Sequence, residues 1–151
     1  MYVIERESNL RHQVKVKPLD DEDYKEITKS RFYFNWKTER AHDVYKLVLG
    51  DEILGVMSCR HHEDERIEIV LLAVSKDNRG RNKKYDRITG NLIGFACKEA
   101  MKYYGINGCV SLVPKTSLRQ HYMDFYGMED AGRQIFLEGG SLLNILREYE
   151  L

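Results

Sequence analysis

Glu68 is the lone carboxylate in a nearly continuous apolar run from Ile67 to Val74. A carboxylate set among apolar side chains is the kind of group that takes a proton in general-base catalysis. Its competing reading is structural, an ion pair with Arg66 or a lysine at the wetter end of the run. Directly after the run, the loop Ser75 to Arg87 gathers Arg79, Arg81, Lys83, Lys84 and Arg87 against two aspartates. The chain as a whole is balanced, 24 basic to 24 acidic side chains, so this excess is local. A helix follows the loop, and the unpaired amides of a helix N-terminus behind a cationic loop make a nest for an anion. The plainer reading is a solvated surface loop. No GxxxxGK[ST] and no GxGxxG occurs, which excludes a Walker loop and a dinucleotide fingerprint. Tyr122 is a third chemical candidate, because a phenol keeps its proton at neutral pH and can deliver it to a leaving group. Its structural alternative is an aromatic that packs a helix onto a sheet. His61 and His62, near Cys59 and Glu63, have the residue types of a metal site but not its spacing. Adjacent side chains on an extended chain point to opposite sides, so the pair chelates poorly and no metal is expected.

The elements that must position these groups follow from periodicity. His12 to Pro18 alternates polar and apolar residues and predicts a half-exposed strand. Asp20 and Asp21 mark a helix start, with Ile27, Phe32 and Phe34 on a partly helical face. Val44 to Leu49 and Ile53 to Cys59, joined at Gly50-Asp51, predict a hairpin, with a polar turn from His61 to Glu65. Ile67 to Val74 predicts a strand buried on both faces in the middle of a sheet. Leu92, Ile93, Ala96, Ala100 and Tyr103 then share one helical face, and Gly105 supplies the stop. Gly108 to Val113 is a strand, Ser117 to Phe125 a short helix ending near Gly127, Arg133 to Leu137 a strand and Leu142 to Tyr149 a helix. That order makes an α+β fold with a mixed sheet.

The residues leading into and through the basic loop carry a resemblance. GluIleValLeuLeuAlaValSer, Glu68 to Ser75, followed by that loop and AsnLeuIle, resembles the GNAT N-acetyltransferase superfamily. There a strand of pattern E-I-V-x-x-A-[IV]-S leads into [QR]-x-x-G-x-[GA] and a helix. Counting back from Leu92-Ile93 sets Lys84 at the first position of that signature, Arg87 at its first glycine and Thr89 at its second. A competing register from Arg79 puts Asn82 and Lys84 at the glycines and Arg87-Ile88 at the apolar pair. HisTyrMetAspPheTyrGlyMetGlu, His121 to Glu129, is similar to the family's last helix, and IleLeuGlyVal to the hairpin before the central strand. The resemblance covers His12 to Leu137. It implies a mixed, mostly antiparallel sheet with a splayed central strand pair and helices on both faces. It implies acetyl-CoA as acyl donor and a primary amine as acceptor, by direct attack in a ternary complex. Carried over by residue, Leu72 and Val74 hold pantetheine through main-chain groups, and an amide at or near Val74 faces the thioester oxygen. Lys84, Arg87 and the turn Ile88, Thr89 and Gly90 bind pyrophosphate, while Arg79, Arg81 and Lys83 reach the nucleotide end. Glu68 becomes the general base, with Glu63 and Asp64 as alternatives acting through water, and Tyr122 the general acid. Phe32 and Trp36, in an aromatic cluster with Tyr33 and Phe34 that otherwise reads as packing, form a wall of the acceptor site.

Composition bounds the rest. With 151 residues, 42% of them apolar, the chain predicts one domain able to build its own core. Cys59, Cys97 and Cys109 are odd in number and lack a CxxC pair, which fits buried thiols in a reducing compartment. No apolar run approaches the ~20 residues of a membrane span, and the N-terminus lacks a signal-peptide core. A soluble cytoplasmic protein is expected. Neutral overall charge argues against nucleic acid, aminoacyl-tRNA as acceptor being the exception a local basic face allows. The C-terminal helix covers the sheet or, as an alternative, joins a homodimer. The missing glycines at Arg87 and Thr89 set the main rival to catalysis: a module that binds acyl-CoA or a protein partner without turnover.

Overall fold

The computed structural model describes residues 1–151, which divide into two compact units. The first comprises Met1–Ser58 and Leu71–Leu92, the second Cys59–Val70 and Ile93–Leu151. Three elements run through both: β5 (Glu52–His62), β6 (Arg66–Val74) and α2 (Ile88–Tyr104).

In the first unit, β3 (Lys15–Pro18), β4 (Asp43–Leu49), β5 and β6 lie in that order in one sheet. Gly50 makes the β4–β5 turn with φ of +60°, which costs a residue without Cβ nothing. A second, three-stranded sheet has β1 (Tyr2–Glu5) between β2 (Arg11–Gln13) and β7 (Tyr85–Asp86). The core of the unit is a cluster of Ile27, Phe32, Trp36, Val44, Val48, Ile53, Val56 and Ala73. Gly55 allows the first turn of α2 to approach β5 closely, since a Cβ there would stand 2.9 Å from Ile88 Cγ2 and Leu92 Cδ1.

In the second unit the order is β5, β6, β8 (Cys109–Leu112), β10 (Gln134–Glu138) and β9 (Glu129–Ala131). β8 runs parallel to β6, whereas β10 is antiparallel to both its neighbours. The remainder of α2, α3 (Arg119–Tyr126) and α4 (Gly139–Glu148) complete the unit. Alternate strand residues Ile67, Ile69, Val110, Leu112, Ile135 and Leu137 are buried, as are Ala96, Cys97, Leu142 and Ile145 from the helices. Gly105 and Gly127, at φ of +65° and +71°, end α2 and α3 as their sequence positions predict. No helix is long and apolar enough to cross a membrane.

Several expectations are corrected. The strand expected from His12 to Pro18 breaks at Val14, whose side chain is buried and whose amide donates to the Met1 carbonyl; the two halves join different sheets. The helix expected after Asp20 is three short turns, Asp21–Lys25, α1 (Lys29–Phe32) and Trp36–Glu39, broken where Tyr33 takes φ of +68°. His61 and His62 belong to β5, so the polar turn is only Glu63 to Glu65. β6 is central but not sealed on both faces: Glu68, Val70, Leu72 and Val74 remain half-buried along one side. Tyr103 is 59% exposed and drops off the buried face of α2. β1, β7 and β9 lie outside the elements that the sequence predicts.

Candidate active site

The central feature is an interrupted ladder. β6 pairs with β8 from Arg66↔Cys109 to Ile69↔Leu112, yet β6 itself continues to Val74. On its other side the Ser75 amide donates to the Leu54 carbonyl at 2.9 Å, and the Ala73 carbonyl also faces β5, near Gly55. Main-chain groups alternate along a strand, so those of Leu72 and Val74 turn to the edge opposite β5. β8 ends at Leu112, so past Ile69 the ladder gives the main-chain groups of Leu72 and Val74 no partner strand on that edge.

Beyond Val74 the loop is held by its polar side chains. Asn78, buried, donates from Nδ2 to Ser75 Oγ at 2.7 Å and accepts the Tyr85 amide at 3.0 Å. Arg6 ties the loop to β1: its amide donates to the Lys84 carbonyl and its Nη1 to the Arg81 carbonyl, both at 2.9 Å. Arg87, at φ of +83°, occupies the left-handed region that favours glycine, and its carbonyl accepts the Asn91 amide as α2 begins. The Asn91 side chain bridges the Arg87 and Tyr2 carbonyls at 2.7 and 2.8 Å. The first-turn amides of α2, at Ile88, Thr89 and Gly90, are those an α-helix leaves without intrahelical partners.

The cations are not equivalent. Arg81 and Lys84 are exposed. Lys83 pairs with Asp86 at 3.0 Å. The Arg79 guanidinium lies 3.4 Å from the centre of the Tyr33 ring, and that of Arg87 stacks on Tyr2 at 4.2 Å while Nε donates to the Tyr2 carbonyl. In the same unit Phe32 is completely buried, and Trp36 donates from Nε1 to its carbonyl at 3.1 Å. Trp36 also borders a cleft of about 470 Å³ walled by Tyr24, Ile27, Phe34 and Asn35, with Lys29 and Lys37 beside them.

In the second unit Glu68 is partly buried and its Oε1 lies 2.8 Å from His62 Nε2. The ion pair with Arg66 does not form; Arg66 reaches Asp64, Ser111 and Gln134 instead. His61 points the other way, to the Tyr104 hydroxyl at 2.6 Å, as neighbours on a strand must. No group of three or more His, Cys, Asp or Glu side chains converges on a metal-sized site. Tyr122 sits half-buried on α3, its ring 5.6 Å from that of Tyr126. Tyr126 is buried, and burial pushes its phenol far up from the ordinary value. From the sequence alone, Arg6 and the Asn91 side chain have no assigned role, Tyr33 is only one of an aromatic cluster and His62 is weighed only as a metal ligand. Only His62 left a signal: it and Glu68 flank a short turn, where facing strands bring side chains together.

No protein-family model and no curated protein matches this chain. Solved structures do. The chain is similar to a subunit of the NatC complex bound to Gag peptide and CoA, at 16% identity and TM-score 0.62 over 83% of this chain and 98% of that one. It resembles a variant spermidine N-acetyltransferase from Vibrio cholerae at 10% identity and TM-score 0.62, over 87% and 97% of the two chains. A Bacillus subtilis acetyltransferase in complex with CoA aligns at 14% identity and TM-score 0.56, over 83% and 99%. Mixed, mostly antiparallel and flanked by helices, with a parallel β6–β8 pair that ends at Ile69↔Leu112, the chain has the GNAT N-acetyltransferase fold.

Proposed function

We propose that the chain transfers an acetyl group from acetyl-CoA to a primary amine by direct attack in a ternary complex. One observation carries the reading: the unpaired edge at Leu72 and Val74 runs directly into a cationic loop and the first turn of α2. Pantetheine hydrogen-bonds along that edge, and the Val74 amide faces the thioester oxygen as it gains charge. Pyrophosphate meets Lys84 and the amides of Ile88, Thr89 and Gly90, with Arg87 at the turn; Arg79, Arg81 and Lys83 serve the nucleotide end. The positive φ of Arg87 supports the register that sets it at the first glycine of the signature. Trp36 borders the acceptor wall and Phe32 backs it.

The chemistry balances with two groups. Glu68 takes a proton from the acceptor ammonium, and the freed lone pair attacks the thioester carbonyl. The C–S bond then breaks and Tyr122 gives its proton to the thiolate. The phenolate recovers the second nitrogen proton as the amide forms, and Glu68 returns its own to water. Neighbours that bear CoA, or a name as an N-acetyltransferase, support the donor and the acceptor class.

The test is calorimetric titration with acetyl-CoA, with thiol release followed across a panel of amines. Saturable binding is expected, weakened at least tenfold in a Lys84→Ala, Arg87→Ala double variant that still unfolds cooperatively. Glu68→Gln retains binding and loses turnover. Arg87 in a glycine position favours a second reading, a GNAT-fold module that binds acyl-CoA or a protein partner without turnover. Saturable binding with no thiol release for any amine establishes that alternative, and no binding at millimolar acetyl-CoA refutes both donor-binding readings.

A further inference from the structure

The Glu68 carboxylate has a hydrogen-bond partner within the protein, and it is His62. The two residues flank the turn Glu63 to Glu65, His62 as the last residue of β5 and Glu68 as the third of β6. Their side chains are 25% and 22% exposed, shielded enough to hold one geometry and open enough to exchange protons with water. The other charged groups of the hairpin are engaged elsewhere or turned to solvent. Arg66 binds Asp64, Ser111 and Gln134, His61 binds Tyr104 behind the strand, and Arg60 and Glu63 are exposed. From β8, Ser111 stands opposite Glu68 in the ladder, and its hydroxyl is taken by Arg66.

We propose that His62 is the positioning residue for Glu68. It donates Nε2–H to Oε1, which fixes the carboxylate rotamer and presents Oε2 to the acceptor ammonium. This inference rests on the acetyl-transfer reading above. A carboxylate on a two-bond stem otherwise samples several rotamers, and general-base catalysis requires the accepting oxygen within hydrogen-bond reach of the proton. The arrangement also selects the tautomer: with Nε2 protonated, Nδ1 is the bare nitrogen in the neutral ring.

Two measurements test it. Long-range proton–nitrogen correlation spectra of the intact protein at alkaline pH report which ring nitrogen of His62 carries hydrogen, whatever the activity. Nε2–H is expected in the wild type, with a mixture of tautomers in Glu68→Ala; a wild-type ring protonated at Nδ1 overturns the proposal. Kinetically, His62→Ala is expected to lower kcat about tenfold with the acetyl-CoA KM within about twofold. His62→Gln, whose amide places a donor near the Nε2 position, returns kcat to within about threefold of wild type. Unchanged kcat in His62→Ala, a loss confined to KM, or equal losses in both variants overturns the proposal. A wild-type chain that releases no thiol with any amine refutes the transferase reading, while the tautomer result still decides the pairing.

Discussion

Gly55→Ala probes how tightly the start of α2 is pressed onto β5. The added methyl would stand 2.9 Å from Ile88 Cγ2 and from Leu92 Cδ1, and 3.4 Å from the Ala73 carbonyl oxygen. Carbon atoms prefer about 3.5–4.0 Å, so the two methyl contacts each fall short by about 0.6 Å or more. Leu92 can swing its terminal methyl aside. Ile88 cannot, because a β-branched residue in a helix has one favoured χ1, so the first turn of α2 must lift. Overpacking of this kind costs about 1–3 kcal/mol. Against it, alanine stiffens the unfolded chain by about 0.4–1 kcal/mol relative to glycine. A net loss of about 1–2 kcal/mol is expected, read as a lower midpoint in urea unfolding at unchanged slope. Gly140→Ala is the control, since nothing lies within 4 Å of its added methyl and it sits inside α4; its stability should be unchanged or slightly raised. Ile88 belongs to the proposed phosphate turn, so Gly55→Ala should also weaken acetyl-CoA binding. Equal or greater stability in Gly55→Ala than in wild type would refute the close approach.

Glu68→Gln should lower kcat about 10²–10⁴-fold, the usual worth of a general base, with acetyl-CoA affinity unchanged by calorimetry. Arg66→Ala removes the bonds to Ser111 and Gln134 that lace β6 to β8 and β10, and should destabilise by about 1–3 kcal/mol in chemical denaturation. Burial pushes the Cys109 thiol up to about 11, and that of the more deeply buried Cys97 higher still. A folded value raised above the unfolded one means stability is intact below about 9 and falls as pH rises toward 11. Cys109→Ser and Cys97→Ala should each flatten that alkaline loss in a melting-temperature series, and alkylation of the native protein at pH 8 should be slow.

The legible parts of the fold are those whose pattern is local. The β4–β5 hairpin is written in its alternation and in Gly50-Asp51, and the ends of α2 and α3 in Gly105 and Gly127. Of the two partners of β1, β2 is close in sequence, but β7 is remote: Ile4 pairs with Asp86, and nothing in Tyr2–Glu5 announces that pairing. The segment from Asp20 to Glu39 misled for the opposite reason. Its apolar spacing is helical, but Tyr33 takes a positive φ and breaks the helix, and Phe32 and Trp36 on either side of the break are buried in the core. The basic loop stands out by charge, yet charge alone does not tell which of its arginines lie on aromatic rings, as Arg79 and Arg87 do on Tyr33 and Tyr2. Glu68 was conspicuous as a lone carboxylate, and its partner was obscured because the histidine pair invited only a metal question.

The stacking of Arg79 on Tyr33 has a consequence for the order of events at the site. Tyr33 follows α1 and immediately precedes Phe34 and Asn35 of the cleft wall, while Arg79 belongs to the loop assigned to the donor nucleotide. A ligand that draws the guanidinium away releases the ring, and one that reseats the ring changes the free energy of moving the guanidinium. On the proposed acetyl-transfer reading this stack couples the two half-sites, and linkage makes the coupling reciprocal: whatever factor acetyl-CoA imposes on the affinity for the amine, the amine imposes on acetyl-CoA. Tyr33→Leu removes the shared contact, so in that variant each substrate's dissociation constant should become independent of the other's concentration.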